Sequence, residues 1–233
     1  MPIWNKKQQF YAYINELAVM LKPNYVERFN VYKKQKKMYW TNTLIVYTIF
    51  FICVAIGYFK KNILGFEKRD VFENILIFIA ICSLVYGLIM KLTGLARYEP
   101  LKGTKGGFLT LDLTKIIIED EVYNIRDIKK IEFDCGDYYG RFKYTSRGSF
   151  EANLSRGVDN TISLTLNSGK IISSNFELYN KNDLEKARLE LINYYLENKI
   201  HFLNLIDYLG ITDYDQIQEF KKTLLPAHAK SHG

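Results

Sequence analysis

The chain is poor in the residues that build catalytic and metal centres. Its 233 residues include only three histidines and three cysteines. His201 stands apart from His228 and His232, which belong to a polar tail, so no His-based triad or metal cluster can be assembled. Cys53 and Cys82 fall inside apolar runs and leave Cys135 alone in the polar part, which excludes a disulfide framework there. There is no phosphate-cradling loop of the GxxxxGK[ST] type. Gly103, Gly106 and Gly107 have neither dinucleotide-binding spacing nor a following helix. Asp134 and Asp137, around Cys135-Gly136, read as a solvated turn rather than as an acid pair. The chain is therefore not expected to be an enzyme or to hold a cofactor or metal.

Charge is missing from two stretches, Leu44–Phe59 and Ile75–Met90. With tolerable flanks each reaches roughly twenty residues, the length an α-helix needs to cross about 30 Å of hydrocarbon. Ile45–Ile52 offers no polar stripe of the kind a helix on a water-facing surface keeps. The expectation is a transmembrane hairpin over residues 40–93. Neither run holds a charged residue, which argues against a proton relay or secondary transporter. In the second run Ala80, Ser83 and Gly87 are small residues three and four apart, a spacing that lets helices approach closely. Asn74 begins a mildly polar stripe. These residues either pack the hairpin against itself or line a pore, and since two helices cannot enclose a channel, a pore requires a homo-oligomer.

The formal net charge of +7 is unevenly placed. Residues 1–40 hold eight Lys/Arg against Glu16 and Glu27, whereas residues 93–233 hold nineteen basic and twenty acidic residues. The excess sits beside the apolar runs, where lysines are drawn to anionic headgroups by about 1 kcal/mol each. A broad nucleic-acid-binding face is not expected. Lys33, Lys34, Lys36, Lys37 and Trp40 form the expected membrane-interface cluster. The positive-inside rule then puts both termini in the cytoplasm, the chain being a multi-pass membrane protein. Ahead of the cluster, Phe10, Ile14, Leu17 and Leu21 mark one face of a helix ending before Pro23, and Asn24–Tyr39 reads as a second helix within an amphipathic basic segment, residues 1–39. The first helix lies on the inner leaflet, packs on a neighbouring subunit, or docks on the chain's own C-terminal domain.

From about Tyr98 the pattern turns to short strands. Phe108–Leu113, Lys115–Glu119, Val122–Ile125, Ile128–Phe133, Thr161–Leu166 and Lys170–Phe176 alternate or carry β-branched runs, and Asn167-Ser168-Gly169 is a hairpin signal. With the aromatic stretch Cys135–Gly157 this makes about seven antiparallel strands. A helix follows with Asp183 as its expected N-cap and Leu184, Ala187, Leu191 and Tyr195 as its apolar face. Further helices are expected at Lys199–Leu209 and, after the signal Thr212-x-x-Asp215, at Asp213–Leu225. The fold class is α+β: a transmembrane helical hairpin, a small antiparallel β-domain over 97–198, and C-terminal helices and tail over 199–233.

The block Ile116–Phe133, the hairpin Ile162–Phe176 and the helix Asp183–Asn198 resemble the pleckstrin-homology-like domains of bacterial membrane proteins, in which about seven strands form two packed sheets closed by a helix. A small closed barrel holding a ligand is the rival arrangement. Asp137–Arg156 concentrates Arg141, Lys143, Arg147 and Arg156 among Tyr138, Tyr139, Phe142, Tyr144 and Phe150. Guanidinium groups grip phosphate and aromatics stack bases, so Arg141, Lys143, Arg147, Arg156, Tyr139 and Tyr144 are the candidate anion site. The bland alternative is an edge hairpin with solvated arginines. Two apolar helices joined to a cytoplasmic β-domain resemble the membrane effectors of anti-phage systems of the CBASS and Hailong types. That resemblance implies a homo-oligomeric ion channel or membrane-disrupting assembly, controlled by a nucleotide or oligonucleotide signal. The alternative is a membrane-anchored module that binds lipid headgroups or a protein without transport.

Overall fold

The computed structural model describes residues 27–35, 39–62, 71–143 and 148–228. The expected helix at Phe10–Leu21, together with Lys36, Lys37, Tyr144 and Arg147, lies outside these residues.

Directly before the first apolar run the chain forms a strand, β1 (Glu27–Lys34), where a second helix was expected. Phe29 and Val31 point into the core while Arg28 and Lys33 are exposed, so the segment carries a two-residue period. Its partner, β2 (Gly103–Leu111), is about seventy residues further on. The two pair antiparallel from Glu27↔Leu111 to Lys34↔Gly103. The register shift between Asn30 and Tyr32 falls at Gly106–Gly107, where Gly107 takes a left-handed φ of 62° that makes room for the bulge.

The chain between those strands contains two helices, α1 (Asn42–Asn62) and α2 (Val71–Gly94), each long and apolar enough to cross a membrane and mostly unburied. They pack along one another, with Val46, Cys53, Leu76, Ser83 and Gly87 buried. Lys60 and Glu73 stand 3.9 Å apart at their loop ends.

The remaining strands are β3 (Lys115–Ile118), β4 (Glu121–Asn124), β5 (Ile128–Asp134), β6 (Tyr139–Phe142), β7 (Leu154–Arg156), β8 (Asn160–Leu166) and β9 (Ile171–Phe176). Five of these join β1 and β2 in one seven-stranded sheet of order β4-β3-β2-β1-β9-β8-β5, and β6 and β7 form a separate ribbon. Six sheet strands are those expected; the seventh is β1, so the sheet domain begins before the apolar helices and not at residue 97. Because the hairpin is inserted between two adjacent antiparallel strands, the chain leaves the sheet at Lys34 and re-enters at the paired residue, Gly103.

One face of the sheet is covered by a 3₁₀ turn (Asp183–Ala187), α3 (Arg188–Leu196), α4 (Phe202–Tyr208) and α5 (Tyr214–His228). Leu184, Leu191, Leu205 and Leu224 share one buried cluster with Leu109, Ile131, Ile162 and Phe176. The helices after residue 199 therefore belong to the core of the sheet domain and are not an appendage. They also cover its β5 edge: Ile131 N–H donates to the Lys199 carbonyl at 2.8 Å and Phe133 N–H to the Tyr208 hydroxyl at 2.9 Å. Two capping expectations are corrected. Asp183 accepts hydrogen bonds from the N–H groups of Tyr179 and Asn180, both 2.8 Å, and so fixes the preceding turn. For α5 the cap is Asp213, which accepts from Gln216 N–H at 3.0 Å, in place of Thr212.

The chain divides into two compact units: one holds 27–34, Gly103–Tyr139 and 157–228, the other Gln35–Lys102 with Gly140–Arg156. The aromatic stretch thus belongs mainly with the apolar helices.

Candidate functional site

The connection from β5 to β8 starts from a buried amide. Asn160 is fully buried; its Oδ1 accepts from the N–H groups of Gly136 (3.2 Å) and Asp137 (3.0 Å), while its Nδ2 donates to the carbonyls of Gly157 (2.9 Å) and Phe176 (3.4 Å). Asp137, expected in a solvated turn, is also buried, and its Oδ2 accepts from Asp159 N–H at 3.1 Å. Gly157 sits at φ 71°, and a Cβ there would lie 2.2 Å from the Leu178 carbonyl. Burial beside Asp134 pushes the Cys135 thiol up to about 12.

Beyond this root, in the other unit, residues 148–156 run along the ends of α1 and α2. The Glu151 carboxylate accepts from both the N–H (2.9 Å) and the Oγ1 (3.0 Å) of Thr43, in the first turn of α1, where an anion complements the exposed N–H groups. Phe150 N–H donates to the same Thr43 Oγ1 at 2.9 Å, and the Tyr47 hydroxyl to the Gly148 carbonyl at 3.2 Å. The Phe150 ring lies 5.6 Å from that of Tyr47 and against Gly87 of α2, where a Cβ would come 3.0 Å from the ring. Asn153 N–H donates to the Gly94 carbonyl at 2.9 Å, and a Cβ on Gly94 would meet the Glu151 carbonyl at 2.7 Å. Two of the small residues of α2 therefore make room for this arm.

Ser83 is buried, and its hydroxyl bonds to the Ala80 carbonyl of its own helix at 2.8 Å, which spends its polarity locally. Ala80 and Gly57 border an apolar groove of about 250 Å³ between the helices. Asn74 is exposed and lies off this face.

The basic residues of the arm have a carboxylate among them. Glu99 Oε1 takes Lys143 Nζ at 2.7 Å and the Ser155 hydroxyl at 3.2 Å; Arg156 Nε donates to the Glu99 carbonyl at 3.3 Å while its guanidinium covers the Tyr98 ring at 5.1 Å. Lys143 and Arg156 thus converge on Glu99. Arg141 is exposed on β6, on the same face as Tyr139 by the two-residue alternation, and the Tyr139 ring is 6.2 Å from that of Tyr179.

Of the expected interface cluster, Lys33 and Lys34 are strand residues held by Glu119 (2.6 Å) and Asp159 (2.8 Å). Trp40 is 65% exposed just before α1. The sequence reading singled out neither Glu151 nor Gly94 and counted Phe150 only among the aromatics of the Asp137–Arg156 stretch; the available signal was a lone glutamate within an arginine-rich stretch.

No protein-family model, curated protein or solved structure matches the chain.

Proposed function

We propose that the chain is a membrane effector, with α1 and α2 spanning a bacterial inner membrane and both termini in the cytoplasm. Several copies assemble into an ion channel or a bilayer-disrupting body, controlled by the sheet domain, in anti-phage defence. The observation that supports this reading is the arm. A segment rooted between two strands of the sheet domain caps α1 through Glu151 and holds α2 at Gly87 and Gly94. An anchor needs only the covalent chain, whereas an element gripping both helix ends gives a change in the sheet domain a route to the helices. The largely apolar and largely unburied surfaces of α1 and α2 fit contact with lipid or with other copies. An anionic, nucleotide-type signal would be read around Arg141, which is exposed on β6.

The effector reading is tested in cells. Induced expression should depolarise the inner membrane, measured with a voltage-sensitive dye, and Gly87→Leu or Ser83→Leu should abolish this without loss of membrane localisation. Normal depolarisation by both variants would remove the proposed packing face from the mechanism.

Glu99 favours a second reading. Because it gathers Lys143 and Arg156, the ribbon β6–β7 also suits a structural part of an anchored pleckstrin-homology-like module that binds headgroups or a protein partner. Membrane-bound protein that never depolarises the cell would select it.

A further inference from the structure

The ladder between β1 and β9 is short. It holds two pairs, Val31↔Phe176 and Tyr32↔Asn175, although β1 runs on to Lys34 and β9 begins at Ile171. Each strand stays paired on its other side through this region, Lys34 with Gly103 and Ser173 with Ser163. The sheet therefore splits between its central strand, β1, and β9 at the end where the chain departs for α1.

The hydrogen-bond phase says which groups face the split. Glu177 N–H donates to the Asn30 carbonyl at 2.9 Å. Antiparallel pairs alternate between bonded and non-bonded, so Tyr32/Asn175 is the next bonded pair and Lys34/Ser173 the one after. The opposite side of β1 agrees: Gln35 N–H donates to the Lys102 carbonyl at 2.9 Å, which leaves Lys34 facing β9. In place of a Lys34/Ser173 pair there is a cavity of about 720 Å³ lined by both residues. Tyr32, Ile118, Tyr123 and Ile172 give it an apolar floor, and Glu119, Asp120 and Glu121 form one side of its rim.

We propose that this split binds an extended peptide carrying a basic side chain, which takes the backbone hydrogen bonds that Lys34 and Ser173 offer. Strand addition supplies affinity through main-chain groups and selectivity through alternate side chains. The charge that remains is negative, because Lys33 is held by Glu119 and Lys34 by Asp159, while Asp120 and Glu121 stay at the rim. A polyphosphate would meet those two acids with both lysines already engaged, so an anionic signal does not suit this cavity. Lys34 lies eight residues before the first residue of α1, so an occupant that pins it acts on the chain leading into that helix.

Amide hydrogen exchange on the full-length protein in detergent tests the split directly. The amides of Lys34 and Ser173 should exchange about a hundredfold faster than those of Tyr32 and Asn175. Equal protection would mean that the ladder continues, and would overturn the proposal. Fluorescence anisotropy with a labelled Val-Lys-Val-Lys-Val peptide tests the occupant. It should bind about tenfold more tightly than its Val-Glu-Val-Glu-Val counterpart and than a copy with alternate amides N-methylated. Asp120→Lys, on the turn before β4, combined with Glu121→Lys at the exposed first residue of β4, should invert the preference. No binding of the lysine peptide, or indifference to N-methylation, would contradict strand addition. Neither readout depends on ion conduction. A conducting protein that ignores the peptide loses only this site, and a peptide binder that never conducts loses only the effector reading.

Discussion

Glu151 and Thr43 are joined twice across 108 residues of sequence, the carboxylate taking both the backbone N–H and the hydroxyl of the threonine. The pair fastens the connection between two sheet strands to the first turn of α1. Glu151→Ala removes both bonds and the favourable charge at the helix start, and should cost about 1–3 kcal/mol. Glu151→Gln keeps an acceptor and should lose less. Unfolding in detergent gives the size, and faster proteolysis between residues 148 and 156 would locate the loss in the arm.

Three glycines of the apolar helices should respond differently to alanine. At Gly94 the new methyl meets backbone, so Gly94→Ala should displace the arm and cost about 1–3 kcal/mol. At Gly87 it meets a ring that can shift, and a smaller loss is expected. At Gly57 nothing lies within 4 Å, and no loss is expected. Thermal unfolding of the three variants in one detergent checks the order.

Asn160 satisfies four polar partners while fully buried. Asn160→Ala strands buried N–H and C=O groups and should cost about 2–4 kcal/mol. Asn160→Asp restores the acceptor and not the donor, so it should fall between alanine and wild type. A wild-type unfolding midpoint for the alanine variant would show that the root of the arm is not held there.

Asp183 sets an acid limit on the sheet domain. Burial alone would raise its carboxyl pKa, but hydrogen bonds from Lys186 and Asn180 outweigh that and hold it below the ordinary value. A carboxylate with a depressed folded pKa stabilises above its unfolded value and loses this as pH falls through the folded one. Stability should therefore drop below about pH 4. Asp183→Asn should flatten that part of the profile, as measured by denaturation from pH 6 to 2.

The apolar helices and six sheet strands could be read from sequence because their signals are local: an uncharged run for α1 and α2, and alternation with a turn for pairs such as β8–β9 around Asn167-Ser168-Gly169. Glu27–Lys34 was misread because lysines beside an apolar run suggest a helix leading into a membrane. Its strand form is decided by pairing with Gly103–Leu111 across the inserted hairpin, and the alternation of Phe29 and Val31 was the one local sign. The arm was misassigned for a similar reason. Its cations stood out by type, whereas what places it is a glutamate, a phenylalanine and two glycines whose partners lie more than fifty residues away. Lys143 and Arg156 looked available because Glu99, which gathers them, lies more than forty residues earlier in sequence.

The most direct test of the effector account is ion flux through liposomes containing the full-length protein, recorded with its oligomeric mass in detergent. The account predicts a defined homo-oligomer that passes ions, with flux reduced by Glu151→Ala while the mass is unchanged. A monomer in vesicles that stay tight would contradict it and leave the anchored module in its place.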